Sequence, residues 1–307
     1  MAFDLTPEQI RALLQGISIP PQPQIMVDLQ LEQLTPGCDI NRIAALIRQD
    51  VGLSGSILKT VNSSFFGLKN KIASVQQACQ LLGIGSVVNI VNALSIRGEL
   101  SDEDIVGLGR FWDTATDVAM VAATIAKQIG AQSSDEAYTL GLFHNCGIPL
   151  LMRRFPEYPA VIRESYAHPN QRIIDSENRL LQTNHAVVGY YVAKSWNLPG
   201  YVCDAIHDHH SARAIFADQD YSNNKKKNLL AILKMAEHVC ASYRTLGGQS
   251  IDYEWQELES DVLMYVGLSA YDFQQLSESV MELGLGQSGW LEEPAGWSRH
   301  AADYISV

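Results

Sequence analysis

The sequence predicts an all-α fold. Apolar residues recur at helical spacing, start and stop residues bracket those runs, and no run alternates with period two between hairpin turns. The first helix is announced by Thr6-Pro7-Glu8-Gln9. This places a hydroxyl at the N-cap, a proline at the first helical position and a glutamine at N3 that can answer the cap. Ile40, Ile43, Ala44 and Ile47 stand at i, i+3, i+4 and i+7, so they share one helix face. Ser74 with Gln77 and Ser133 with Glu136 repeat the capping-box spacing. Val118, Val121, Ala122, Ile125 and Ile129 form a second long apolar face. Gly83, Gly130 and Gly147 read as helix stops, because glycine takes the left-handed conformation that closes a helix without steric cost.

Three regions follow along the 307 residues. Residues 1–100 read as short helices opening after Ile19-Pro20-Pro21-Gln22-Pro23. Residues 101–247 carry longer helices and seven of the eight histidines. Residues 248–307 add two helical patterns and a tail, Gly286 to Val307, bearing Trp290, Trp297 and Tyr304. The tail is expected to dock on its own domain, because chain ends need tying down. The acidic stretch Arg97–Asp104 is too short to be a free linker, so the first two regions are expected to pack together.

The formal charge of −12 disfavours nucleic-acid partners, which normally meet a basic patch. Lys225-Lys226-Lys227 is the one basic run and reads as a solvated loop. No stretch reaches the length of uncharged apolar chain that a membrane span needs. The N-terminus, MAFDLTPEQI, lacks the basic and apolar segments of a signal peptide, so a cytoplasmic protein is expected. Cys38, Cys79, Cys146, Cys203 and Cys240 are odd in number and widely spaced, which suits free thiols rather than a disulfide framework. The chain has no GxSxG elbow and no GxxxxGK[ST] phosphate loop. Cys146 reads as a small buried apolar group, not a nucleophile. Tyr190, Tyr191 and Trp196 read as core.

Several motifs in the first region occur together. The proline-rich segment precedes Ala45-Leu46-Ile47-Arg48-Gln49-Asp50 and Leu53-Ser54-Gly55-Ser56-Ile57-Leu58. Asn62-Ser63-Ser64-Phe65-Phe66-Gly67 follows, and then Ile72, Ser74, Val75, Ala78 and Leu81-Leu82-Gly83, with Phe111-Trp112 opening the next region. In this combination the chain resembles the HDOD family from about residue 17 to 245. The resemblance implies a multi-helical, HD-domain-like bundle with an N-terminal helical subdomain, and a role in bacterial signal transduction. Read by chemistry alone, Asn62 and Ser63 can turn the chain through their side chains, and Gly67 and Gly83 can supply left-handed turns.

The second region resembles the HD phosphohydrolase superfamily, in which histidines, a His-Asp pair and a final Asp bind one or two metals. Here the pair is His144-Asn145. A neutral amide with one oxygen cannot bridge two cations as a carboxylate does. Asp113 and Thr114 stand where many HD enzymes place an earlier histidine. His185, His209, His210 and Glu237 match surviving positions. The resemblance therefore implies a vestigial metal cluster of His144, His185, His209, His210 and Glu237, suited to a single divalent ion if to any. The expected function is a non-catalytic regulatory scaffold that acts through a protein partner. The alternatives are a divergent phosphohydrolase on a nucleotide or cyclic dinucleotide, and a sensor that binds a nucleotide without hydrolysing it.

Overall fold

The computed structural model describes residues 6–19, 22–49, 51–62, 68, 71–98, 109–131, 134–169, 171–217 and 224–287. Pro20, Pro21, Ser63 to Gly67, Ser133, the 99–108 stretch and the tail tryptophans lie outside these residues. Among the described residues there is no strand.

The helices run α1 Pro7–Leu13, α2 Gln24–Leu34, α3 Ile40–Ile47, α4 Val51–Val61 and α5 Val75–Gly98. Then come α6 Gly109–Gln128, α7 Ser134–Phe143, α8 Gly147–Arg154, α9 Tyr158–Ala167, α10 Ile173–Leu181, α11 His185–Ser195 and α12 Gly200–Asp208. A 3-10 turn, His209–Ser211, leads into α13 Ala212–Ala217, α14 Lys225–Val239, α15 Ser242–Thr245, α16 Tyr253–Val266 and α17 Ala270–Glu282.

The predicted capping box at Thr6 is present, with Thr6 Oγ1 accepting from the Gln9 amide and Gln9 Oε1 accepting from the Thr6 amide. Ser74 Oγ accepts from the Gln77 amide at 3.4 Å. Asn62 pins the turn after α4: its amide donates to Leu58 O at 2.8 Å and Ile72 O at 2.7 Å, and its oxygen accepts from the Ile72 amide at 2.7 Å. Side-chain bonding of this kind lets a short polar residue replace a backbone turn.

Two apolar cores form. One gathers Leu29, Ile43, Ala44, Ile47, Ile57, Val61, Ala78, Val87 and Val91 from α2 to α5. The other is larger. It spans α6 to α17 and takes in Leu14, Ile17 and Met26 from the N-terminal segment. Trp255, Val262, Phe273 and Val280 bring α16 and α17 into this second core. Tyr138 on α7 packs against both cores. Val118, Val121, Ala122 and Ile125 are buried as their spacing predicts. Trp196 is fully buried, while Tyr190 and Tyr191 are partly so. α14 buries Leu229, Leu230, Ile232, Leu233, Met235 and Val239, each such side chain contributing about 1.5–3 kcal/mol of transfer free energy.

Two sequence expectations change, those for Gly147 and for the lysine run. Gly147 opens α8 rather than closing a helix. Its role is close approach, since a Cβ there would lie 2.1 Å from His185 O and 2.9 Å from the Gly189 amide nitrogen. Gly83 does interrupt the helix as its stop reading predicts: at φ 78° and ψ 163° it leaves helical geometry, and α5 is two helical segments joined across this kink. Lys225-Lys226-Lys227 is not a loop but the first turn of α14, capped by Asn224. Lys227 is buried, its ammonium 5.6 Å from the Phe216 ring centroid and 4.9 Å from that of Tyr265, and Lys226 pairs with Asp208. Aromatic faces and a carboxylate offset the unfavourable placement of cations at a helix N-terminus.

Candidate functional site

Four helix ends and faces meet at one buried point. His144 follows α7, His185 opens α11, and His209 and His210 form the 3-10 turn after α12. Glu237 lies in the last turns of α14. All five are buried. Local sequence sets these positions. Asn184 caps α11 by accepting from the Val187 amide at 2.9 Å, which fixes His185 as the first helical residue. Glycine at 147 lets α8 pass directly against the α11 backbone that carries His185.

Each imidazole has its Nδ1 tied to an oxygen. His144 Nδ1 donates to Gly141 O at 2.7 Å and His209 Nδ1 to Ile206 O at 2.7 Å. His185 Nδ1 donates to the Glu177 carboxylate at 2.8 Å and His210 Nδ1 to Glu254 Oε1 at 2.9 Å. These acceptors fix the tautomers and leave the Nε2 lone pairs available, the arrangement that orients histidine ligands. Ring nitrogens of His185, His209 and His210 lie within 4.8 Å of one another. His185 Nε2 and His209 Nε2 are 3.3 Å apart. Two nitrogens bound at about 2.0–2.1 Å to one tetrahedral cation stand about 3.3–3.4 Å apart, so the pair already has the edge length of such a site. His210 Nε2 is buried and has no hydrogen-bond partner among the described residues. Burial first, and then the neighbouring imidazoles and Lys234, hold His209 and His210 well below the ordinary histidine pKa. Both effects favour the neutral ring, the form that ligation requires.

His144 packs edge-on against His209, with ring centroids 5.5 Å apart, but lies outside the triangle of nitrogens. The Asn145 side-chain amide donates to His144 Nε2 at 2.8 Å and so occupies its lone pair. A carboxylate at this position could only accept. The amide turns an acceptor into a donor and leaves Asn145 Oδ1 buried without a partner among the described residues. Glu237 Oε1 lies 3.3 Å from His144 Nε2, while Glu237 Oε2 pairs with Lys234 at 2.8 Å. Burial raises the Glu237 carboxyl, but Lys234 outweighs it and holds its pKa well below the usual range.

Three residues of the site were not singled out by the sequence reading. Glu177 accepts from the His185 backbone amide at 2.9 Å and from the Tyr158 hydroxyl at 2.5 Å, besides the His185 ring. Glu254, on α16, joins His210 to Lys234, the latter at 2.9 Å. Lys234 is itself buried. Burial lowers its proton affinity, yet Glu237 and Glu254 overcompensate and raise it above its ordinary value. The signal for Lys234 was present, since it precedes Glu237 by three residues on one helix face. Glu177 and Glu254 carry no such local mark. Cys146 is buried beside the site with its Sγ turned to Gly189 O at 3.8 Å, and burial pushes its thiol far up, so it is inert.

The donor set fits one transition ion. His185, His209 and His210 offer three imidazoles and leave a fourth position open, while Glu177 and Glu254 serve as outer acceptors. The set does not fit a cation pair, because Asn145 supplies no bridging carboxylate.

Comparison with known proteins agrees with the all-helical fold. A family model, the HDOD domain, matches residues 19–212, and the chain belongs to that family. An uncharacterized protein of Treponema pallidum (strain Nichols) is 28% identical over 194 residues, 63% of this chain and 38% of that one. The uncharacterized protein YuxH of Bacillus subtilis (strain 168) is 41% identical over 59 residues, 19% of this chain and 14% of its own length. The match thus spans well under half of these curated relatives. Among solved structures, an HDOD domain protein of unknown function from Geobacter sulfurreducens superposes with TM-score 0.64 at 21% identity, over 92% of this chain and 97% of that one. A protein from Shewanella amazonensis SB2B named as a candidate phosphohydrolase gives 0.62 at 21%, over 94% and 98%. A candidate signal transduction protein from Marinobacter aquaeolei VT8 gives 0.61 at 18%, over 91% and 60%. Among the described residues, no helix is long and apolar enough to cross a membrane.

Proposed function

We propose that the protein is a non-hydrolytic regulatory module that acts through a protein partner, with its histidine centre kept as a single-cation site that ties helices together. The observation that carries this reading is the Asn145 amide donating into His144 Nε2. It withdraws one imidazole and removes the carboxylate that a two-metal hydrolytic centre would use. What remains is a buried three-imidazole set joining α11 and the turn after α12, with second contacts reaching α10 and α16. A bound divalent ion would supply Lewis acidity there. Glu177 and Glu254 would orient the rings, and burial would exclude bulk water. The signalling name of the Marinobacter protein supports the regulatory half of this reading.

The test uses untagged protein purified without chelators, beside a His209→Ala/His210→Ala variant. We expect about one divalent transition ion per chain, lost in the variant, and no turnover of a phosphoester panel above the background of that variant. Turnover that chelation abolishes would overturn the non-hydrolytic assignment.

A second reading rests on a cleft of about 140 Å³ beside His210, lined also by Arg172, Arg213, Gln171 and Tyr253. It would admit part of a nucleotide bound without hydrolysis. Its arginines already pair with Asp175 and Glu257, which weakens it. A rise in melting temperature with nucleotide, in the absence of metal, would favour it.

A further inference from the structure

Lys234 is a cation built into the protein interior. Its side chain is 3% exposed, and its ammonium lies 2.8 Å from Glu237 Oε2 and 2.9 Å from Glu254 Oε2. The two carboxylates come from different helices, α14 and α16, and the ammonium is what stands between them. A cavity of about 10 Å³ adjoins it, lined by Lys234, Glu237, Glu254, Ser242, Asp252 and Tyr166 among others. That space is at the lower limit for one water molecule. Apart from the ammonium, the lining is rich in oxygen: two carboxylates, the Ser242 hydroxyl, which has no hydrogen-bond partner among the described residues, and Asp252, which is held by His238 and the Trp255 amide. Oxygen donors of this kind suit hard divalent cations.

We propose that Lys234 is the residue that sets the cation count of the centre: its ammonium occupies an oxygen-lined cation position between Glu237 and Glu254 and so keeps that position closed to a metal ion. The role of Lys234 deepens the single-cation reading above, but its test reads a difference that does not depend on that reading. Removing the ammonium while leaving space behind converts the position into a divalent-cation site of oxygen chemistry.

The experiment compares the full chain with Lys234→Ala after dialysis against Mn²⁺, the metal content being measured by elemental analysis. Lys234→Ala is expected to carry one more equivalent than the parent protein, lost again in Lys234→Ala/Glu254→Gln. Lys234→Met, which fills the space without charge, is expected to gain none. An unchanged content in a folded Lys234→Ala protein overturns the proposal, whether the parent holds one ion or none. A parent with no metal refutes the single-cation reading alone. Where Lys234→Ala does not fold in metal-free buffer, its melting is followed with added Mn²⁺. Recovery of a cooperative transition supports the proposal, and no recovery at millimolar Mn²⁺ overturns it.

Discussion

Gly147→Ala is the sharpest perturbation of the site that leaves every polar group in place. The added Cβ would stand 2.1 Å from His185 O and 2.9 Å from both His185 C and the Gly189 amide nitrogen. All three are backbone atoms, so no side chain can swing aside. Ordinary contact begins at 3.4 Å, so α8 and α11 must part by roughly 1.3 Å. Overpacking a close-packed interior costs about 1–3 kcal/mol, and a backbone-to-backbone clash belongs at or above the upper end. At roughly 2–4 °C per kcal/mol, the melting temperature should fall by about 6–12 °C. The assay is thermal and urea unfolding of the full chain beside Gly200→Ala, where an added Cβ meets nothing within 4 Å. That control is expected to be neutral or slightly stabilised. Because the clash is with the residue carrying the His185 ring, metal retention should weaken in Gly147→Ala as well. A midpoint within about 1 °C of the parent would refute the close-approach argument.

Glu177→Gln should destabilise by about 1–3 kcal/mol, because the amide cannot accept from the Tyr158 hydroxyl, the His185 amide and the His185 ring at once. The same change should lower metal affinity about 10–100-fold, read by competition with a chromophoric chelator. A thiol reagent at neutral pH should modify Cys38 and spare the other four cysteines of the native chain. Cys38 is half-buried, whereas burial lifts the Cys79 and Cys203 thiols to about 11 and those of Cys146 and Cys240 higher still. Rapid labelling of more than one thiol in folded protein would contradict this.

The helical class, the capping at Thr6 and the apolar faces of α3 and α6 were legible in the sequence, because period and capping are local properties that residues three or four apart decide. The histidines and Glu237 were legible as a set only through the family pattern, since nothing in their spacing shows that four segments meet. The structure brought His185, His209 and His210 together. It also set His144 aside, through a donor–acceptor relation between neighbours that the letters alone did not reveal. Gly147 and the lysine run were misread for one reason. Their roles depend on what packs against them, the α11 backbone in one case and Phe216, Tyr265 and Asp208 in the other. Glu177, Lys234 and Glu254 belong to the same group, as their importance lies in hydrogen bonds across helices. The sequence by itself determined which helices form and which faces are apolar. Only the tertiary structure decided which charges are buried together, because the cost of burying a charge depends on partners brought in from distant segments.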